Sequence, residues 1–525
     1  MVMQQKNISD SYWENLSLND SDLDLLSDFL FEKEKPLRTS ELAHALIFSR
    51  IKQEKEKESL KQSQLGIRFT PKEDYEKGET LLFPALDWQS GIVKSKRAGN
   101  NPDFEGFNVI DVEFDDKTIR SFASNLHIHP LNESFSENNL SSSIDVDGVY
   151  NKFGKKIGRL LENKLATSKE LVRIAESWFP KSLLIDFNQG HLNIVEAILD
   201  MQGGGPLEPK AILSQLDIDL GENPELTEFS LNYALQEDSR FDEVGTKGIY
   251  SWFLHRLEPE DVRQVPYYLK YEPVLEVSET ISNEDLSMLQ NIDDELIQYD
   301  FGDEYFQKEI SFVLSYPHWR VGTIPLTPKI KSVFPTALQT ERVKISFHDP
   351  DDNETISAWL IRPDNYVYGL RDWYDDHDLI PGSVISLEKT DDPGKIIIRA
   401  QKKRSNREWL KTILIGADGG IVLALLKQSV SAGFNDRMAI AIPDSEGLDA
   451  IWKDRLNKTR SLKSDVMKMM QELSKLNQQH NVHFIELYAV LNTIRRISPE
   501  PILHLLKTDP DFKYVGDQYY HMKEV

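Results

Sequence analysis

Near the start of the chain, hydrophobic residues recur every three to four positions. The first such stripe consists of Leu23, Leu26, Phe29 and Leu30. This spacing predicts an amphipathic helix, with Ser21 in position to cap it. A second helix is predicted from Thr39 or Ser40 onward, where the apolar face is followed by the charged stretch "RIKQEKEKESLK". Charges that alternate four residues apart are typical of a solvated helix.

Between residues 76 and 132, hydrophobic residues instead recur at every second position. The segment "FNVIDVEF" alternates strictly, and "DDK" separates it from "TIRSFA". Alternation on both sides of a short polar turn predicts an antiparallel hairpin. Helical spacing returns after 146, strand patterns return from 309 to about 445, and the C-terminal end is again helical.

These changes of period predict several domains, as expected for 525 residues. The predicted order is a helical N-terminal segment (1–70), a small β-barrel (71–132), a Ser/Asn/Glu linker (133–145), a helical region (146–260), an acidic connector (261–308), a β-barrel (309–400), a β-rich segment (401–446) and a C-terminal helical domain (447–525).

Composition narrows the class of protein. The chain has no cysteine, which excludes disulfides, cysteine-based zinc sites and thiol nucleophiles. No apolar stretch reaches the length of a membrane span, and the N-terminal end is polar. We therefore expect a cytoplasmic protein without membrane contact.

Charge is unevenly distributed. The formal net charge is −25, which argues against a protein that is basic over its whole surface. The segment 311–411 nevertheless contains 15 Lys/Arg and 14 Asp/Glu. One nearly neutral segment in an acidic chain favours contact with DNA through a single module. The alternative is that the excess of acidic residues serves only solubility.

Two segments repeat a pattern. The first is "DSRFDEVGTKGIYSWFL" at 238–254, and the second is "DPDFKYVGDQYYHM" at 509–522. Each follows predicted helices, so Phe241 and Phe512 are expected to anchor a β-hairpin, and Gly245 and Gly516 to supply positive φ in its turn. These segments resemble the ending of the HARE-HTH winged-helix domain, which occurs in the delta subunit of bacterial RNA polymerase and in chromatin and restriction proteins. The helices at 21–60 are a third candidate, in which no hairpin follows directly.

The region 76–132 resembles Tudor-like or KOW-like small barrels through "GETLLFPALDWQSGIV" and "VEFDDKTIRSFASNL". It departs from them by the long insertion "KSKRAGNNPDFEGF" and by Pro84. Such modules usually contact RNA polymerase or other proteins.

The region 311–400 resembles the B3-like DNA-binding pseudobarrel. The resemblance rests on "IPLTPKIKSVFP", "VKISFHD", "AWLIRPDNYVYGL" and "WYDDHDLIPGSVISLE", with Trp373 in the place of the family's tryptophan and Ser383 where Asp is usual. The overall fold class is therefore expected to be multidomain α+β, with winged-helix modules, small antiparallel β-barrels and one B3-like pseudobarrel.

The B3 resemblance implies two arms that enter the major groove. The first arm would contain His318, Trp319, Arg320, Thr323 and Lys329, and the second Arg362, Asn365, Tyr366, Tyr368 and Arg371. Arg and Asn are the residue types that recognise guanine and adenine edges with two hydrogen bonds.

A dense basic run follows these arms. In "KIIIRAQKKRSNREWLK" the residues Lys402, Lys403, Arg404 and Arg407 are suited to phosphate contact. The alternative is a solvated linker. In the C-terminal repeat, Arg495, Arg496 and Lys507 make that copy a better DNA-binding candidate than the copy at 191–257.

Motifs of catalysis are lacking. The sequence contains no GxxxxGK[ST], GxGxxG or HExxH, and "DDK" is better explained as a hairpin turn than as part of a nuclease site. The cluster Asp372, Asp375, Asp376, His377 and Asp378 suggests a metal, but consecutive residues of a helix point in different directions. We therefore expect no enzyme activity, no metal and no cofactor.

These patterns predict a non-catalytic, multidomain DNA-binding protein associated with transcription or DNA processing. Its expected partners are double-stranded DNA and RNA polymerase or another DNA-processing protein. Two alternatives remain open: an acidic protein-interaction adaptor that does not bind DNA, and the recognition subunit of a restriction or defence system.

Overall fold

The computed structural model describes residues 9–523 except 64–65, 87–88, 102–103, 105, 134–144, 217–222, 272, 274–284, 286–287, 290, 298–307, 338–339, 418 and 458–460. The side chains of 55–63, 404–406 and 454–457 are also outside the described set. Most of the linker expected at 133–145 and much of the acidic connector expected at 261–308 fall in these gaps. The fold is mixed α+β with several small sheets. It divides into two compact units, 1–185 with 220–229 and 186–219 with 230–525.

The first unit combines helices with two small sheets. Its elements are α1 (Asp10–Glu14), α2 (Asp20–Lys33), β1 (Leu37–Arg38), α3 (Thr39–Ser63), β2 (Ile67–Arg68), β3 (Thr80–Phe83), β4 (Gln89–Ala98), β5 (Asn108–Phe114), β6 (Ile119–Ser124), α4 (Pro130–Glu133), α5 (Val146–Leu165), β7 (Leu171–Ile174) and β8 (Ser177–Pro180).

Helix α2 begins two residues earlier than a cap at Ser21 would place it. Asn19, rather than Ser21, is the cap: its side chain accepts a hydrogen bond from the Asp22 backbone N–H, and the Asp22 carboxylate accepts one from the Asn19 N–H. This reciprocal pair satisfies two backbone donors that a helix start otherwise leaves without partners.

The helices of the first unit enclose one core, and α5 belongs to it. Leu42 and Leu46 of α3 pack with Ile157 and Leu161 of α5 and with Trp178 of β8. The three short strands form one sheet in the order β1-β8-β7. Residues 146–180 therefore complete the N-terminal helices, whereas the periodicity grouped them with 181–260. Helical spacing identifies an apolar face but not the distant segment that covers it.

A five-stranded sheet lies between α3 and α5 in sequence, in the order β2-β3-β4-β5-β6. Its core includes Leu81, Val93, Ile110, Val112 and Phe114. The hairpin expected at "DDK" is present, with Lys117 at φ 62° and its N–H bonded to the Phe114 carbonyl. The alternation of "FNVIDVEF" therefore predicted a real strand.

The second unit begins with another helical module. Its elements are α6 (Gln189–Met201), α7 (Pro209–Leu213), α8 (Pro224–Gln236, which continues from the first unit), β9 (Phe241–Glu243), β10 (Trp252–Leu254) and α9 (Glu260–Arg263). The repeat's anchor Phe241 is buried, as expected.

The two repeat glycines play different roles. Gly516 has φ +104°, as predicted, whereas Gly245 is not in the left-handed region. A Cβ at Gly245 would lie 1.9 Å from the carbonyl oxygen of Ile249. Glycine is needed there for close backbone approach, and Gly248, with φ +92°, supplies the positive φ of that loop.

The next seven strands form one curled sheet, which we call the half-barrel. Its strand order is β11-β16-β17-β13-β14-β15-β12. Its elements are β11 (Glu309–Val313), α10 (Tyr316–Val321), β12 (Thr323–Pro325), α11 (Pro328–Lys331), β13 (Arg342–Asp349), β14 (Glu354–Ile361), β15 (Tyr366–Tyr368), α12 (Arg371–Asp376), β16 (Val384–Lys389) and β17 (Lys395–Ala400).

A long hairpin and a third helical module follow. Their elements are β18 (Lys402–Ile415), β19 (Ile421–Ala432), β20 (Ile440–Ala441), α13 (Ser445–Asn457), α14 (Leu462–Ser474), β21 (Val482–His483), α15 (Phe484–Leu491), α16 (Pro499–Thr508), β22 (Phe512–Gly516) and β23 (Tyr519–Met522). The hairpin strand β19 contributes Leu423 to the same core as Leu487 and Phe512 of the module.

One chain order recurs in three places: helix, strand or bridge, helix, helix, then two antiparallel strands. In the first module, formed by α2, β1, α3, α5, β7 and β8, the last strand lies in the middle of the sheet, in the order β1-β8-β7. In the third module the last strand is again in the middle, in the order β21-β23-β22. In the second, Leu207 forms an isolated bridge with Trp252 of β10, which also pairs with β9. Across the parts of the chain that the structure describes, no helix is long and apolar enough to cross a membrane.

Candidate nucleic-acid interface

The first predicted arm lies largely inside the second unit. His318 and Thr323 are fully buried, and the His318 ring bonds Thr323 Oγ1 through Nδ1 and the Glu295 carboxylate through Nε2, each at 2.9 Å. In this conformation neither residue is available to DNA. Two polar residues that suggested base recognition instead satisfy each other in the interior.

The other residues of this arm are also engaged. Trp319 donates its ring N–H to the Leu379 carbonyl at 2.7 Å. Arg320 forms a two-point ion pair with Asp449, at 3.0 and 2.5 Å, and the hydrogen-bonded carboxylate holds the pKa of Arg320 above its usual range. Lys329 donates to the Ser311 carbonyl at 2.7 Å and remains partly exposed.

The second arm mixes buried and partly exposed groups. Tyr366 is buried and donates to the Asp261 carbonyl at 2.7 Å. Arg362 donates to the Pro335 carbonyl, and burial lowers the pKa of its guanidinium. Asn365 has φ 58° and its carbonyl accepts from Leu326, so it shapes the turn between β14 and β15. Tyr368 is half-buried against the core around Trp359.

Arg371 joins the two arms. It donates to the Trp319 carbonyl at 2.7 Å, pairs with Asp375 and lies 4.8 Å from the centre of the Trp319 ring. The structure thus brings both arms to one region of the half-barrel, but binds their charged groups to the protein itself.

The acidic residues of the cluster at 372–378, in and just after α12, lie where the helix pattern predicts them. Asp372, Asp375, Asp376 and Asp378 are exposed at the surface. His377 differs, because its ring is turned inward toward Asp349 and Asp352.

The basic run lies on β18, at the surface. Lys402 pairs with Asp351 at 2.9 Å and Lys403 with Glu408 at 3.0 Å, and both lysines remain exposed. The side chain of Arg404 is outside the described residues. Arg407 is exposed and, within the described part of the chain, makes no ion pair. Of the residues predicted from the sequence, this group is the most accessible.

Two further residues, which no sequence motif indicated, extend this surface. Trp409 follows Arg407 on the same face of β18 and is 64% exposed. The strand register places Lys427 of β19 directly opposite Trp409, with its ammonium 5.3 Å from the ring centre. The pattern "REW" was visible in the sequence, but its cross-strand partner depends on the register of the hairpin. We call Arg407, Trp409, Leu425, Lys427 and Ser429 the ribbon face.

The basic residues of the C-terminal repeat are not free. Arg496 is buried and bonds Asp294 at 3.0 and 2.5 Å and Glu295 at 2.7 Å. Arg495 pairs with Asp465 at 3.0 Å, and Lys507 with Asp285 at 2.5 Å. They act within the protein and do not form a basic face.

Arg496 belongs to a buried polar network that also includes Asp294, Glu295, His318 and Tyr488. Tyr488 donates to Asp294 at 2.5 Å. Burial alone would lower the pKa of Arg496 and raise that of Glu295. The opposite charges prevail, so the pKa of Arg496 is raised and that of Glu295 lowered. The network connects the segment at 294–295 to both α10 and the third module.

Comparison with known protein families, curated proteins and solved structures gives no significant match to this chain.

Proposed function

We propose that this chain is a non-catalytic DNA-binding protein of the transcription or DNA-processing machinery, and that the ribbon face is its main DNA contact. The observation that carries the proposal is an exposed tryptophan between two exposed cations on one face of the β18–β19 pair, in the part of β18 that precedes its short pairing with β20 at Lys411 and Thr412. A two-stranded β-ribbon fits the major groove of DNA.

Local charge supports this assignment. Residues 402–432 contain six Lys/Arg and two Asp/Glu, whereas the whole chain has a net charge of −25. Phosphate contacts supply most of the sequence-independent affinity for DNA, and acidic surfaces oppose it. A local basic surface on an acidic protein therefore orients the bound DNA toward the ribbon face.

Chain order supports the proposed fold families. The three helical modules share the helix, strand, helix, helix, strand, strand order expected of winged helices. The half-barrel combines seven strands with short helices, as expected of a B3-like pseudobarrel, and the five-stranded sheet at 67–124 occupies the position of the Tudor-like barrel. In this proposal the modules contact RNA polymerase or another DNA-processing protein.

The double substitution Arg407→Ala/Lys427→Ala tests the ribbon face. We expect the affinity of the full chain for a random-sequence duplex to fall about tenfold at low salt. The slope of log affinity against log salt should fall by about 2, because two phosphate contacts are lost. Fluorescence anisotropy at several salt concentrations measures both quantities.

Lys33→Ala/Lys35→Ala is a matched control, since it removes two exposed cations elsewhere. If both double variants bind equally well, the ribbon face is not the contact. If the unmodified chain does not bind DNA at low salt, the acidic protein-interaction adaptor replaces this proposal. Co-purification with a nuclease would instead indicate a restriction or defence system.

For the two arms of the half-barrel we expect a different effect on DNA affinity. Arg320 is already neutralised by Asp449, so Arg320→Ala/Asp449→Asn should leave DNA affinity within about twofold of the original. Anisotropy under the same conditions checks this. A loss as large as that of the ribbon variant would show that the arms open when DNA binds.

A further inference from the structure

Three potential metal ligands converge at one end of the half-barrel. Asp349 ends β13, Asp352 lies in the turn between β13 and β14, and His377 follows α12. One ligand atom of each lies within 4.8 Å of the others. His377 Nε2 is 3.1 Å from a carboxylate oxygen of Asp349 and 3.1 Å from one of Asp352.

A hydrogen bond on the other side of the ring holds the imidazole in this orientation. His377 Nδ1 lies 3.0 Å from the Trp373 carbonyl. A carbonyl oxygen only accepts hydrogen bonds, so Nδ1 is the donor in this contact, and Nε2 is the ring nitrogen left to face the two carboxylates. Histidines that bind metals typically donate their other ring N–H in this way.

Nε2 itself is buried and makes no well-aligned hydrogen bond within the described part of the chain, although it lies 3.1 Å from a carboxylate oxygen of each aspartate. The side chain of His377 is only 9% exposed. Two carboxylates and a buried ring nitrogen that converge on one point without an aligned hydrogen bond form a set of donors suited to a cation between them. This is an independent indication of a ligand, beyond the presence of acidic residues.

The distances suit a bound metal. With bonds of about 2.1 Å to nitrogen and oxygen, a separation of 3.1 Å between ligand atoms corresponds to a ligand–metal–ligand angle of about 95°. Asp349 is held in place, because one carboxylate oxygen accepts from the Trp373 ring N–H at 2.8 Å and the other from the Asp351 N–H at 2.9 Å.

Lys402 does not take the place of this cation. It pairs with Asp351 at 2.9 Å, so one of the three acids in the turn is already neutralised. Asp349 and Asp352 have His377 between them. Asp352 is 57% exposed, which leaves the cluster open to solvent and to water ligands.

We propose that Asp349, Asp352 and His377 bind a divalent transition-metal ion of the zinc type, which holds the β13–β14 turn against the end of α12. One imidazole and two carboxylates suit zinc, manganese or cobalt better than calcium or magnesium. The sequence pattern pointed away from a metal because its clustered acids lie on one helix, whereas these ligands come from two distant segments.

Zinc competition with a chromophoric chelator tests the site in the full, chelator-treated protein. We expect saturable uptake of one zinc ion that depends on this cluster, and Asp352→Asn and His377→Gln should each weaken it by at least about tenfold. Cobalt should give a visible absorption band that the same variants abolish. Asp352→Asn alters an exposed side chain, so loss of folding would not confuse the result.

Two controls complete the experiment. Asp378→Asn changes an exposed acid outside the cluster and should bind zinc normally. His255→Asn tests the other candidate group, Asp242, His255 and Glu258, where the Arg342 guanidinium lies 3.2 Å from Asp242 and competes with a metal. The proposal is overturned if zinc uptake is absent, or if it survives Asp352→Asn unchanged.

Discussion

Substitution of Arg496 by Met should destabilise the third module by about 3–5 kcal/mol. Removal of the guanidinium leaves Asp294 and Glu295 buried beside each other without their cation, and an uncompensated buried charge costs this much. Hydrogen exchange of the α15 peptides measures the effect locally, which matters because a multidomain chain does not unfold in one step.

Arg407→Met is the matched control, since it removes an exposed arginine, and it should change exchange little. Adding Asp294→Asn to Arg496→Met should recover part of the loss, because one buried charge is removed with its partner. Arg496→Lys keeps the charge and should lose less. Equal exchange in Arg496→Met and Arg407→Met would mean that the network does not stabilise the module.

Glu258→Gln should stabilise the protein at pH 8 by about 2–4 kcal/mol, with little effect near pH 4. The Glu258 side chain is fully buried, and its oxygens accept no hydrogen bond from the residues that the structure describes. Burial, followed by the neighbouring Asp242, raises the pKa of Glu258 from 4.5 to about 8, although Arg342 lies 3.5 Å away.

The sign follows from the raised pKa. Below pH 4.5 the Glu258 carboxyl is protonated in both the folded and the unfolded chain, so its ionisation does not lower the free energy of unfolding. Between pH 4.5 and about 8 only the unfolded chain loses the proton, and stability falls. The original protein should therefore lose stability over this range, and Glu258→Gln should lose less.

Two neighbours titrate nearby and must be separated from this effect. Burial raises the pKa of Glu243 to about 7, and this contribution remains in both proteins. Burial lowers the pKa of Lys344 to about 8, which acts only above that pH. Denaturant midpoints from pH 4 to 8 measure the difference, with the exposed Glu341→Gln as control. Parallel pH profiles for Glu258→Gln and Glu341→Gln would contradict the prediction.

Much of the local structure could be predicted from the sequence. The hairpin at "DDK", the buried anchors Phe241 and Phe512, and the exposed acids of α12 lie where hydrophobic period and turn chemistry placed them. These features depend on neighbours within a few residues, and the amino-acid order describes those neighbours directly.

The candidate site could be predicted only in part. Arg407 is exposed, whereas Arg320 and Arg496 are bound to carboxylates more than 100 residues away in sequence, Asp449 and Asp294. An arginine beside aromatic residues looks the same in the sequence whether it faces solvent or a distant acid. Residue type indicated the possible chemistry, but not its partner.

By itself, the sequence determined the alternation of helical and strand segments, the acidic charge with one basic run, and the repeated hairpin motif. Only the tertiary structure decided that 146–180 completes the N-terminal module, that Lys427 lies beside Trp409, and that His377 faces Asp349 and Asp352. The reason is physical: local period follows from backbone geometry, whereas strand register and buried pairing depend on long-range packing that brings distant residues together.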